Sequence, residues 1–268
     1  MALSPQPTPP PFRLKLAFAW TGLITAVLWL ALLGVYLIFK QRAQDIALLG
    51  ATQVLVYSGV LWLFAFAQGA RVRDVIAPRL VPLRLCLAAA ALGFVLQIPA
   101  TMLSNIVEHF FPVPDAVLHQ RMLRLTPHST AHGVAIFAVV AVFGPCLEEL
   151  FFRGALFGAL RRGYTAGTTI SAVSLCFALG HLELRLLLPL YVVALALGDV
   201  RERSGSVWPG FALHAAFNAA TLAAVFSGNV PNGKPPPMPL PVALLGCVLC
   251  AALLALTRRI AQAHAKTA

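Results

Sequence analysis

Three short stretches carry nearly all the chemistry that this sequence offers. Cys146-Leu147-Glu148-Glu149-Leu150-Phe151-Phe152-Arg153 sets two adjacent carboxylates and an arginine inside a run that is otherwise apolar. Glu149 and Arg153 stand at i, i+4 and share a helix face, acid first, which is the favourable order for an ion pair. Glu148 points about 100° away and has no cation within reach on its own helix. One carboxylate is therefore expected to be neutralised and the other free for chemistry. The second stretch is Phe177-Ala178-Leu179-Gly180-His181, where Phe177 lies one turn from His181 and would fix the imidazole by packing. In the third, His214 and Asn218 are i, i+4 and project together from one helix face.

A glutamate with a histidine can activate water as a general base. A second histidine with an asparagine amide can donate hydrogen bonds to a developing oxyanion. Together they describe hydrolysis of a carbonyl substrate, and in a membrane the natural one is a peptide bond. The same Glu148, His181 and His214 would also suffice as ligands of a catalytic zinc. Residue types and order leave the two mechanisms open.

The elements that must position these groups are membrane helices. The chain has 268 residues, 59% hydrophobic and 11% charged, with a mean hydropathy of +0.83. Those values exclude an ordinary soluble domain. A net charge of +11 would suggest nucleic acid in a soluble protein. Here the basic residues gather in short connections between apolar runs, which positive-inside topology explains, and no nucleic-acid partner is expected. Ionisable groups at membrane depth cost on the order of 2.5–3.5 kcal/mol each, so Glu148, Glu149 and Arg153 are functional candidates by default. Cys86, Cys146, Cys176, Cys247 and Cys250 all lie in apolar segments and read as buried small hydrophobes.

Taking about 20 residues per crossing, the sequence predicts an all-α polytopic bundle of about eight transmembrane helices. The runs are 16–39, 46–68, 85–106, 130–160, 166–181, 184–200, 207–226 and 242–256. Residues 1–12 read as a disordered Pro-rich tail without the features of a signal peptide. Residues 13–260 read as a single membrane domain, and 261–268 as a C-terminal tail. Residues 107–130 break the pattern and suggest an interfacial amphipathic helix, with Val117, Leu118, Met122 and Leu125 at helical spacing. The long fourth run contains Gly144-Pro145 immediately before the glutamates, which predicts a break or kink. Eight spans put both termini on one side, and that side carries roughly twice as many Lys and Arg as the other, so both termini are expected in the cytoplasm. Counted from the cytoplasmic arginines, His181 lies deeper than Glu148 and His214 shallower. The three can meet only if a helix tilts or starts outside the bilayer.

The ordered set E-E-x-x-x-R (Glu148, Glu149, Arg153), F-x-x-x-H (Phe177, His181) and H-x-x-x-N (His214, Asn218) resembles the CPBP family of intramembrane proteases. This is the CAAX-processing and bacteriocin-processing group, also called Abi, and the resemblance covers residues 130–225. It implies a helical bundle with its site in a cavity, cleaving membrane-associated or lipid-modified peptides. By position, Glu148 and His181 would activate water, and His214 and Asn218 would stabilise the oxyanion. Glu149, Arg153 and Phe177 would support them.

The family has been read both as glutamate-dependent and as metal-dependent. The glutamate mechanism is favoured here, because no carboxylate is evident in the sequence to fix His181 or His214 as zinc ligands. No cofactor is therefore expected, with zinc on Glu148, His181 and His214 as the alternative. A non-catalytic membrane scaffold, for instance one giving immunity to a self-produced bacteriocin, is the rival from another class. A transporter would call for paired repeats, and none is evident. Expected partners are a membrane-embedded peptide or protein substrate and the lipid bilayer. The expected location is a bacterial inner membrane, where a prenylated CAAX substrate is doubtful.

Overall fold

In a computed structural model the chain is all-α, and the structure describes residues 12–40, 45–76, 78–228 and 237–267. The helices, in order, are α1 (Leu14–Phe39), α2 (Ile46–Ala67), α3 (Val72–Ile76), α4 (Leu83–Phe110) and α5 (Asp115–Leu125). Then come α6 (Thr130–Arg161), α7 (Ala166–Gly180), α8 (Leu184–Ser204), α9 (Trp208–Phe226) and α10 (Leu240–Ala265). All eight expected apolar runs are helices. Six of them, α1, α2, α4, α6, α9 and α10, are long and apolar enough to cross a membrane. The other two are less apolar or shorter. Helix α7 has only 15 residues, and the 21 residues of α8 include Arg185, Asp199, Arg201, Glu202 and Arg203. The expected helix within 107–130 is present as α5, which buries none of its residues. Residues 1–11 of the Pro-rich tail and much of the Pro-rich loop before α10 lie outside the described residues. Phe12 is buried, its ring 5.7 Å from that of Phe64.

Two apolar clusters hold the bundle. One joins α1, α2, α6 and α7 around Phe64, Phe151, Phe152 and Phe177. The other joins α4, α8, α9 and α10 around Leu92, Leu96, Leu197 and Leu213. Small residues let the second group approach closely. A Cβ added to Gly93 of α4 would stand 2.1 Å from the Leu213 carbonyl oxygen of α9. One added to Gly246 of α10 would stand 2.5 Å from Ile98.

Helix α6, which carries the glutamates, does not break at Gly144-Pro145. Its backbone stays helical throughout, with two π-helical segments, Ala138–Phe143 and Leu150–Leu156, flanking α-helical Gly144–Glu149. The wider i to i−5 turn is how the helix accepts a proline that lacks an N–H. The Gly144 N–H reaches back to the Val139 carbonyl. In that register the Val140 carbonyl would need the N–H of residue 145, which is proline. The amide nitrogen of Asn218 donates to it instead, at 2.9 Å. At the predicted irregularity the helix is thus widened, and its stranded carbonyl is satisfied from α9.

Candidate active site

The two adjacent glutamates meet opposite surroundings. Glu149 is 1% exposed and Arg153 0%. The guanidinium Nη1 donates to Glu149 Oε1 at 2.9 Å, as the i, i+4 spacing predicts. Arg153 also reaches the Ala194 carbonyl of α8 and lies 4.5 Å above the Phe177 ring. Its own carbonyl accepts from Arg201 Nε at 2.8 Å. A buried ion pair is maintained by such extra bonds, since its mutual attraction alone barely offsets desolvation.

Glu149 Oε1 takes a second donor that the sequence did not reveal, His214 Nδ1 at 3.0 Å. An ionised carboxylate can only accept, so Nδ1 carries the proton and a neutral His214 presents Nε2 as a lone pair. That Nε2 lies 3.9 Å from Glu148 Oε2, beyond hydrogen-bond reach. Glu149 Oε2 has no hydrogen-bond partner among the described residues, and a Cβ added to Gly210 would stand 3.0 Å from it. Gly210 is therefore what lets α9 close on the carboxylate.

Glu148 faces the other way. Its side chain is 15% exposed and lines a cavity of about 200 Å³ together with Thr25, Tyr57, Phe177, Gly180 and His181. His181 sits just past the last turn of α7. Its Nδ1 donates to the Phe177 carbonyl at 2.8 Å and its ring lies 4.7 Å from the Phe177 ring, leaving Nε2 as the free acceptor. Leu182, the next residue, has φ +51°, a left-handed conformation that glycine usually supplies at a helix end. Strain of this kind collects at functional positions.

Phe177 stands between the two histidines. Its ring lies 5.6 Å from the His214 ring, while His181 extends one turn beyond it towards Glu148's cavity. Glu148 thus has His214 3.9 Å away and shares its cavity with His181. Asn218 is not brought to the cavity, because its amide is held on Val140, two turns before Glu148. Tyr57 and Thr25 are the residues sequence reasoning missed. They lie on α2 and α1, where no motif marks them.

Residues 130–220 match a family model, Rce1-like, described as type II CAAX prenyl endopeptidase Rce1-like. That segment is similar to a CAAX-type endopeptidase. The Rce1-like match agrees with the CPBP resemblance of the motifs and implies a protease. It lends no support to the bacteriocin-processing or metalloprotease readings. It covers about a third of the chain, Glu148 through Asn218 included, but not the α1 and α2 residues that wall the cavity. No curated protein and no solved structure matches the chain.

The zinc alternative can be tested against the geometry. Contrary to the expectation from sequence, a carboxylate does fix His214, that of Glu149, and the Phe177 carbonyl does the same for His181. Both rings thus present Nε2, as metal-binding histidines do. Among the described residues no group of three His, Cys, Asp or Glu is placed to hold a metal ion.

Proposed function

We propose that the protein is an intramembrane endopeptidase that hydrolyses peptide bonds of membrane-associated or lipid-modified substrates. The observation that carries this reading is the division between the glutamates. Glu149 is buried and neutralised, while Glu148 makes no hydrogen bond among the described residues and faces a cavity shared with His181. Glu148, with the lone pair of His181 Nε2, would orient a water and take its proton as the water oxygen attacks the scissile carbonyl. The carbonyl electron pair would move to oxygen. His214 could donate to that oxyanion through Nε2 in its doubly protonated form, with Glu149 as counter-ion. Asn218 would have one amide hydrogen left, the other being engaged by Val140. Collapse would break the C–N bond and return the proton from Glu148 to the leaving nitrogen.

The chain would lie in a bacterial inner membrane with both termini cytoplasmic, in line with the basic connections. The test is cleavage of a mixed membrane-peptide library in lipid nanodiscs, read by mass spectrometry with and without a zinc chelator. Cleavage by wild type, insensitive to chelator and abolished by Glu148→Gln, is the expected result. Loss of activity with chelator and its return with zinc would transfer Glu148, His181 and His214 to a metal. No cleavage across the library would favour the scaffold reading.

A further inference from the structure

Hydrolysis needs a donor for the oxyanion, and the motif residues supply it poorly. The Nδ1–H of His214 is spent on Glu149, so a neutral His214 has no proton to offer on its cavity side. The Nδ1–H of His181 is spent on the Phe177 carbonyl. Asn218 is turned to Val140 and does not line the cavity. The Thr25 hydroxyl leans on the Gly180 carbonyl at 3.5 Å.

Tyr57 differs from all of these. It is buried at the middle of α2, its ring edge-on to Phe151 at 6.2 Å, and it lines the same cavity as Glu148 and His181. Its hydroxyl makes no hydrogen bond among the described residues, and it is not one of the sealed polar atoms without a partner, so it is available on the cavity that Tyr57 lines. At neutral pH that hydroxyl keeps its proton and can donate.

We infer that Tyr57 is a catalytic residue of this site, its hydroxyl donating the hydrogen bond that stabilises the oxyanion formed when water adds to the scissile carbonyl. The inference rests on the endopeptidase reading above. No proton leaves Tyr57. The C–O bond to water forms, the water proton goes to Glu148, and the phenol bonds to the carbonyl oxygen while it carries the negative charge. The donor is preorganised, because Phe151 packing fixes the ring before substrate arrives, and it does not depend on the protonation of His214.

The test compares wild type, Glu148→Gln and Tyr57→Phe on one cleaved peptide in nanodiscs, recording kcat, KM and melting temperature. The expected result is a kcat for Tyr57→Phe lower by roughly 10²–10³, the range for loss of one oxyanion donor, with KM and melting temperature unchanged. A phosphinate analogue of the same peptide, which mimics the tetrahedral oxyanion, should lose affinity for Tyr57→Phe in the same proportion. Tyr57→Phe with a kcat within threefold of wild type would overturn the inference and leave the endopeptidase reading standing. So would a rise in KM alone, which marks a substrate contact. If wild type itself cleaves nothing, the endopeptidase reading falls first and this inference with it.

Discussion

Glu148 and Glu149 are consecutive residues of one helix, yet they belong to different regions of the molecule. Glu149 belongs to the closed interior where α6, α8 and α9 meet, with Arg153, His214 and the π-widened backbone around it. Glu148 belongs to the open side, a small cavity walled by α1, α2, α6 and α7. In the first region Glu149, Arg153 and His214 are bonded to one another, although Glu149 Oε2 and Arg153 Nε have no partner among the described residues. In the second, a carboxylate, an imidazole nitrogen and a phenol are left unspent. Such a contrast on one helix turn separates the groups that hold the fold from those able to react.

The contrast can be broken first at its closed side. Arg153→Ala would leave Glu149 charged, buried and short of its cation, and should cost about 3–5 kcal/mol, read as a large drop in unfolding midpoint in detergent. The α9 side should yield less. Asn218→Ala strands the Val140 carbonyl and should cost about 1–3 kcal/mol. In a Pro145→Ala background residue 145 can supply its own N–H, so the same substitution should cost much less, and a double-mutant cycle on unfolding midpoints would measure the difference. At the mouth of the open side, Leu182→Gly should relieve the left-handed strain next to His181 and stabilise by about 1 kcal/mol. The effect should be least outside both regions. Arg71 bonds Asp74 on the surface and holds its carboxyl below the ordinary range. A lowered carboxylate favours the fold above its unfolded pKa, and that contribution fades as pH falls through the folded value. Because the pair is fully exposed, Asp74→Asn should leave the unfolding midpoint unchanged at neutral pH.

The closed region was the more legible in the sequence. The Glu149–Arg153 pair follows from i, i+4 spacing, and the order of the three motifs placed α6, α7 and α9 together. The partnership of Glu149 with His214 was not legible, because it depends on how closely α9 approaches at Gly210, a tertiary distance. Gly144-Pro145 announced backbone irregularity but not its form. A break and a π-widened turn leave the same residues in the sequence, and only the neighbour's amide at Val140 selects between them. Apolar runs showed where α7 and α8 lie but not where Leu182 ends one or where charged turns pair with neighbours, as Glu202 does with Arg161 and Asp199 with Arg258. Tyr57 was invisible for a plainer reason. A single tyrosine in an apolar helix is usually packing, and what distinguishes this one is its place on the cavity shared by Glu148 and His181.

The opposite roles of the two glutamates are the central claim, and one paired measurement tests it: cleavage and melting temperature of Glu148→Gln and Glu149→Gln, side by side in nanodiscs. Glu148→Gln should melt with wild type and lose cleavage by more than about 10³-fold, since it removes the proton acceptor. Glu149→Gln should melt well below wild type, since it leaves Arg153 buried without a counter-charge. Full cleavage by Glu148→Gln, or a Glu149→Gln variant as stable as wild type, would contradict the account.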